Sequence, residues 1–170
     1  MNSKKNLVLL GMMGSGKSSI GFLISKKLNL KFFDIDILIE NEVGMEISNI
    51  FREKGENYFR NIEEKITLKI LKTNNAVVSL GGGGFINNKI RKEVLANNIS
   101  FWLNWDSEVL LKRIINSKKR PLAFNSSNQE ILSLIKKRLK IYSKAKFKIN
   151  CDKVKKTDVV KKIIKIYGLN

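Results

Sequence analysis

The stretch LVLLGMMGSGKSS, Leu7 to Ser19, decides how the rest of the chain is read. Asn6 to Leu10 form a short continuous apolar run, the pattern of a strand buried on both faces. Glycines interrupt it, and from Ser18 onward Ile20, Leu23, Ile24 and Leu28 recur at helical spacing. Between strand and helix, Gly11 to Ser18 satisfies the pattern G-x-x-x-x-G-K-S/T. Glycines there let successive backbone N–H groups turn inward around a polyphosphate, and the helix N-terminus adds the positive end of its dipole. Gly14, Ser15, Gly16, Lys17, Ser18 and Ser19 are the predicted nucleotide contacts. Lys17 would reach the β- and γ-phosphates, and the Ser18 hydroxyl would coordinate Mg²⁺. From average residue frequencies, a chance match in a chain of this length is on the order of one in a hundred. A nucleoside triphosphate is held here.

The chain has 170 residues, enough for one sizeable core, and 43% of them are hydrophobic. It contains no histidine and one cysteine, Cys151. Imidazole acid–base chemistry, Ser-His-Asp and Cys-His catalysis, intramolecular disulfides and thiol-based metal sites are therefore excluded. Carboxylates, lysines, arginines, hydroxyls, backbone groups and bound ions remain. The 33 basic residues against 15 acidic ones give a net charge of +18, which raises the question of nucleic acid. The lysines are scattered over the whole chain beside an excess of isoleucine and asparagine, the bias of an AT-rich coding sequence. Solvated lysine faces are the expectation, with no nucleic-acid partner, although the charge still steers anionic substrates inward. No apolar run approaches the roughly 20 residues of a membrane helix. Lys4, Lys5 and the LVLL run faintly mimic a signal peptide, but the glycines cut the run short and no cleavage site follows. The expectation is a mature cytoplasmic protein with no membrane partner.

Beyond the first helix, strands are predicted at 31–34, 76–80, 100–103 and 147–150. Helices are predicted at about 88–96, 106–116, 129–143 and 157–167. Between Ile35 and Thr73, Gly44 and Gly55 divide a helical pattern into two short helices and a longer one. This alternation predicts an α/β domain spanning residues 1–170, with a parallel sheet covered on both faces. The segment 117–128, SKKRPLAFNSSN, holds the only proline and many turn formers, and is predicted to be a mobile lid.

What receives the phosphoryl group must come from the carboxyl ends of such a sheet. Asp34-Ile-Asp36 closes the second strand; in extended chain both carboxylates would project to one side. Asp36 would take or orient a hydroxyl proton and Asp34 would lie near the metal, unless one or both merely cap the next helix. In GENYFRNIE, Arg60 and Glu63 share a helix face, as a surface ion pair or as part of a site. Gly81 to Gly84 follow a buried strand, more glycine than a turn needs, which fits backbone N–H groups closing on a ligand. Arg120-Pro-Leu in the lid and Arg138-Leu-Lys-Ile-Tyr142 add two arginines, each alone as readily a solvated side chain.

In this order, FFDIDILIENEVGMEISNIFREKGENYFRNIEE, VVSLGGG, KRPL and RLKIY resemble shikimate kinase, a nucleoside-monophosphate-kinase-like P-loop family, over about residues 6–145. The resemblance implies a three-layer P-loop NTPase fold with a five-stranded parallel sheet ordered 2-3-1-4-5 and a substrate region at about 35–63. It implies ATP and shikimate as partners, Mg²⁺ as cofactor and a monomer. Asp36 would contact the ring hydroxyls, including the one phosphorylated, with Gly81, Gly82 and Gly83 alongside. Arg60 and Arg138 would grip the carboxylate, chemistry suited to guanidinium. Asp34 would stand near the metal with Ser79 in its outer shell, Arg120 would reach the transferred phosphate, and Arg113 would stack on adenine. Lys17, Asp36 and Arg120 would thus be the catalytic set. The chain departs from the family pattern at Gly84, in the missing proline of RLKIY, and in CDKVKKTD after Asn150, which lacks the usual arginine- and proline-bearing adenine loop. The rival readings are a gluconate-kinase-like or nucleotide-kinase-like enzyme, and a nucleic-acid-binding protein that uses the loop as a switch.

Overall fold

A computed structural model describes residues 4–116 and 126–170. At its centre runs β1 (Leu7–Leu10), buried along its whole length. It pairs in parallel with β3 (Ala76–Ser79) on one side and β4 (Ile99–Asn104) on the other. Outside these lie β2 (Lys31–Asp34), beside β3, and β5 (Phe147–Asn150), beside β4. The order is β2-β3-β1-β4-β5, as the resemblance implied.

The alternation of β1 splits the core into two layers. Leu7 and Leu9 belong to the layer with Ile20 and Ile24 of α1 (Lys17–Leu28) and with Val160 and Ile163 of α7 (Lys156–Gly168). Val8 and Leu10 belong to the layer under α2 (Ile35–Val43), α3 (Ile47–Leu71), α4 (Asn88–Asn97), α5 (Ser107–Ile115) and α6 (Asn128–Tyr142). A strand covered on both faces has no polar side to show, which is why it reads as an unbroken apolar run. Register then decides what meets at the carboxyl end of the sheet. Leu9 and Asp34 both stand opposite Ser79, so the loops after β1, β2 and β3 open side by side.

The two predicted short helices and the longer one are present. α3 bends at Gly55, whose φ of 81° and ψ of 168° are not helical, and Gly44 ends α2 at a φ of 73°. Two expectations need correction. The strand stops at Asp34, and Asp36 lies in the first turn of α2, so the pair is not an extended D-x-D. Asp34 caps that helix: its Oδ1 accepts the Asp36 N–H at 3.1 Å. The predicted lid also ran two residues too far, because Ser127 and Asn128 open α6. Ser127 Oγ accepts the Glu130 N–H while the Glu130 carboxylate accepts from the Ser127 N–H, a closed capping box. Residues 117–125 of that segment, with Arg120, Pro121 and Leu122, lie outside the described residues.

Candidate active site

The loop after β1 is shaped by its glycines. Gly11, Gly14 and Gly16 have φ of 141°, 81° and 88°, the left-handed half of the map that side chains avoid. A Cβ on Gly11 would also stand 2.9 Å from the Leu103 carbonyl oxygen. Five of the loop's carbonyls, those of Gly11, Met12, Gly14, Ser15 and Gly16, accept from protein donors. Lys17 Nζ donates to the Gly11 and Met12 carbonyls, each at 3.0 Å. Arg113 Nη1 donates to Gly14 O at 3.2 Å, and Trp105 Nε1 to Ser15 O at 3.0 Å. Gly16 O accepts from the Ser19 hydroxyl at 3.1 Å and the Ile20 N–H at 2.9 Å. Gly16 also caps α1 with no side-chain bond to its first turn. With these five carbonyls engaged and its helix start uncapped, the loop offers donors, and its complement is an anion. Ser18 is exposed at the start of α1.

Opposite this loop, α2, α3, α6 and the turn after β3 converge. Asp36 is partly buried, and burial pushes its carboxyl up to about 6; Lys17 draws it back down, while Asp34, Glu63 and Glu40 push it further up. Arg60 is clamped by two carboxylates, with Nη1 at 2.7 Å from Glu63 Oε2 and Nη2 at 3.0 Å from Glu56 Oε1. This is no surface pair. Glu63 is 1% exposed, its Oε1 has no hydrogen-bond partner, and burial raises its carboxyl despite Arg60 and Arg138 nearby. Arg138 is buried too; its Nη1 donates to Gly82 O at 3.3 Å and touches Met12 Sδ at 3.8 Å. The Tyr142 hydroxyl donates to the same Gly82 carbonyl at 2.5 Å. Between α3 and α6, a cavity of about 420 Å³ opens beside Glu56, Glu130, Lys137 and Arg138.

The glycine run is explained by these side chains. A Cβ on Gly81 would lie 2.6 Å from Asp36 Oδ1 and 2.7 Å from Glu63 Oε1, and one on Gly83 would collide with the Arg60 guanidinium. A Cβ on Gly82 would lie 3.2 Å from Met13 N and 3.6 Å from Arg138 Nη1. The run is bare so that two carboxylates and two arginines can close over it. Gly84 differs: its Cβ would make ordinary 3.6 Å contacts, and Gly84 opens a short 3-10 turn, Gly84–Ile86. Gly83→Ala therefore displaces Arg60 and is expected to weaken acceptor binding by about tenfold, the cost of disturbing a charge-assisted hydrogen bond. Gly84→Ala should stay within about twofold. Acceptor KM in the two variants decides it; equal values would reject the steric account.

A family model described as shikimate kinase matches residues 13–167. Shikimate kinase from Persephonella marina is 38% identical over 160 residues, 94% of this chain and 97% of that one. The chain belongs to the shikimate kinase family. A solved shikimate kinase from Acinetobacter baumannii, in complex with shikimate, superposes with a TM-score of 0.92 at 28% identity, covering 98% of this chain and 94% of that one. The enzyme from Aquifex aeolicus superposes at 0.84 with 36% identity over 94% of each chain. Family membership makes this protein a kinase that uses ATP to phosphorylate shikimate. No helix among the described residues is long and apolar enough to cross a membrane.

The structure brings Lys17, Asp34, Asp36, Arg60, Gly81, Gly82, Gly83 and Arg138 together: Asp36 feels Lys17 and Asp34, Gly81 faces Asp36, Gly83 faces Arg60 and Gly82 faces Arg138, with Ser18 next to Lys17. Three contributors escaped the sequence reading. Met12 is buried under Arg138 and Tyr142, Tyr142 anchors the glycine turn, and Trp105 holds the phosphate loop. Met12 was only an x of the loop motif. Trp105 lies one residue past β4, at the mouth of the sheet, and that place was a usable signal.

Proposed function

We propose that this site transfers the γ-phosphoryl group of ATP to the 3-hydroxyl of shikimate, with the residues in the following roles. The backbone of Gly14, Ser15 and Gly16 holds the phosphates with Lys17, Ser18 and Ser19, and Arg113 takes the adenine. Arg60 and Arg138 hold the shikimate carboxylate, and Asp36, beside Gly81 to Gly83, orients the acceptor hydroxyl and accepts its proton. Arg120 reaches the transferred phosphoryl from the lid. The observation that carries this reading is the loop whose Gly11, Met12, Gly14, Ser15 and Gly16 carbonyls are held by protein donors, facing a desolvated carboxylate and two carboxylate-clamped or buried arginines.

The residues also fit Mg²⁺. The Ser18 hydroxyl and the Asp34 carboxylate are hard oxygen donors, and Asp36 N–H occupies only one Asp34 oxygen. Among the described residues there is no cluster of three or more His, Cys, Asp or Glu to cage a metal. Few protein ligands suit an ion that keeps its waters and takes phosphate oxygens. When bound, it neutralises charge on the phosphates. The chain's own part is positioning: Lys17 and the loop amides set the donor, the arginines set the acceptor, and Asp36 moves one proton. The protein works as a single cytoplasmic domain and as a monomer, with ATP and shikimate as its partners and no nucleic acid. Closure of a lid before α6, over 117–126, excludes water.

An ADP-release assay with and without shikimate tests the activity; release independent of shikimate would reject it. Arg60→Ala tests the roles. The shikimate Kd should weaken by about ten- to a hundredfold, the range for losing a charged hydrogen bond, while the ATP Kd moves less than about threefold. Equal losses for both ligands would remove Arg60 from the acceptor pocket.

A further inference from the structure

Trp105 sits between two things a nucleotide needs. Its indole N–H fixes the Ser15 carbonyl at 3.0 Å, and its ring lies 3.7 Å beneath the Arg113 guanidinium. Arg113 in turn donates to the Gly14 carbonyl at 3.2 Å and is itself an exposed residue. The platform is itself held. The Asn104 side chain bonds Asn150 across the ends of β4 and β5, at 3.2 Å. Asp106, on the other side of Trp105, caps α5, and its N–H donates to the Asp152 carboxylate at 2.9 Å. An exposed arginine ordinarily samples many rotamers. This one is pinned by a ring on one face and a carbonyl at its edge.

We infer that Trp105 is a positioning residue for the nucleotide base: it presents the outer face of Arg113 as a stacking surface at a fixed height above the phosphate loop. The inference rests on the reading that Arg113 takes the base. A base stacked there closes a sandwich with the guanidinium in the middle and Trp105 below. The same indole bonds the loop, so the base and the triphosphate are registered against one rigid group. Arg113 without the ring beneath it would supply a planar charge whose tilt and height nothing fixed.

The test compares binding of ATP, inorganic tripolyphosphate and shikimate by calorimetry in magnesium buffer. The preference for ATP over tripolyphosphate isolates the contribution of the base. Arg113→Ala should lower that preference by about tenfold, a cation–π contribution at a partly desolvated site. Trp105→Leu should lower it by a similar factor, and the double variant no further, since both remove one stack. Trp105→Phe keeps an aromatic face and loses the N–H. It should retain most of the preference while weakening ATP and tripolyphosphate together by about fivefold, the worth of one hydrogen bond. Shikimate affinity should change less than about twofold throughout. If Arg113→Ala leaves the preference at the wild-type value, the assignment of Arg113 to the base is wrong. If Arg113→Ala lowers it and Trp105→Leu does not, that assignment stands and the role of Trp105 falls. Should Trp105→Leu fail to fold, Trp105→Phe still decides, because wild-type affinity for tripolyphosphate would overturn the loop contact.

Discussion

Lys17→Ala is expected to fold, to bind shikimate normally, and to lose about a thousandfold in phosphoryl transfer, the upper range for deleting one preorganised charge stabiliser. The Lys17 ammonium is buried, and its Nζ bridges the Gly11 and Met12 carbonyls. It is thus built into the wall of the loop rather than hanging from it, and its charge is already felt by Asp36 across the cleft. Deleting it removes a cation from between donor and acceptor and takes a donor from the Gly11 carbonyl, while the Met12 carbonyl keeps the Ser15 N–H at 3.2 Å. The second effect costs about 1–3 kcal/mol of stability for each buried acceptor left unpaired, and the β1 core beneath is untouched. Lys17→Arg separates the two effects. It keeps the charge but not the compact geometry, and it should recover stability while transfer stays depressed by at least about a hundredfold. Activity of Lys17→Ala within about tenfold of wild type would end the phosphate role.

The sheet was legible because β1 and β3 are buried on both faces, and such strands announce themselves as LVLL and AVVS. Helix starts were legible to within a residue where a capping group was present, as at Asn87 and Asp106. Reading 34–36 as extended failed because Asp34 serves two structures at once: it ends β2 and its side chain opens α2. The acceptor site was legible as an order of weak signals and not as a mechanism of assembly. Nothing in GENYFRNIE says that Glu63 is buried, since three-residue spacing describes a solvent pair equally well. That fact depends on β3 delivering Gly81 and Gly84 against the same carboxylate. Likewise the glycines read as a ligand cradle made of N–H groups. Their neighbours add a requirement the local sequence does not carry, that side chains of α2, α3 and α6 come close. Trp105 was missed for a related reason: a tryptophan after a strand reads as packing until its N–H is seen to reach a loop 90 residues earlier.

Asp36→Asn is expected to lower turnover by about a hundredfold or more, the scale of losing a general base. Its pH signature separates that role from mere structure. A carboxyl held at about 6 is protonated below that pH and cannot accept the hydroxyl proton, so kcat/KM should fall on the acid side near pH 6. An ordinary aspartate would fall only near 4. The leading cause is burial, and Glu63 adds negative charge nearby, so Glu63→Gln should move the acid limb to lower pH. Stability runs the opposite way from activity. Between the unfolded value near 3.8 and the folded value near 6, the folded chain binds more protons, so stability falls as pH rises through that window. Asp36→Asn carries no such charge and should melt at a higher temperature than wild type at pH 7, with that advantage shrinking toward pH 4. A carboxylate kept where it weakens the fold at working pH is held there by its chemistry. Thermal melts at the two pH values, set beside the kcat/KM profile, test both halves together. A variant that keeps both wild-type turnover and the acid limb would show that Asp36 only shapes the start of α2.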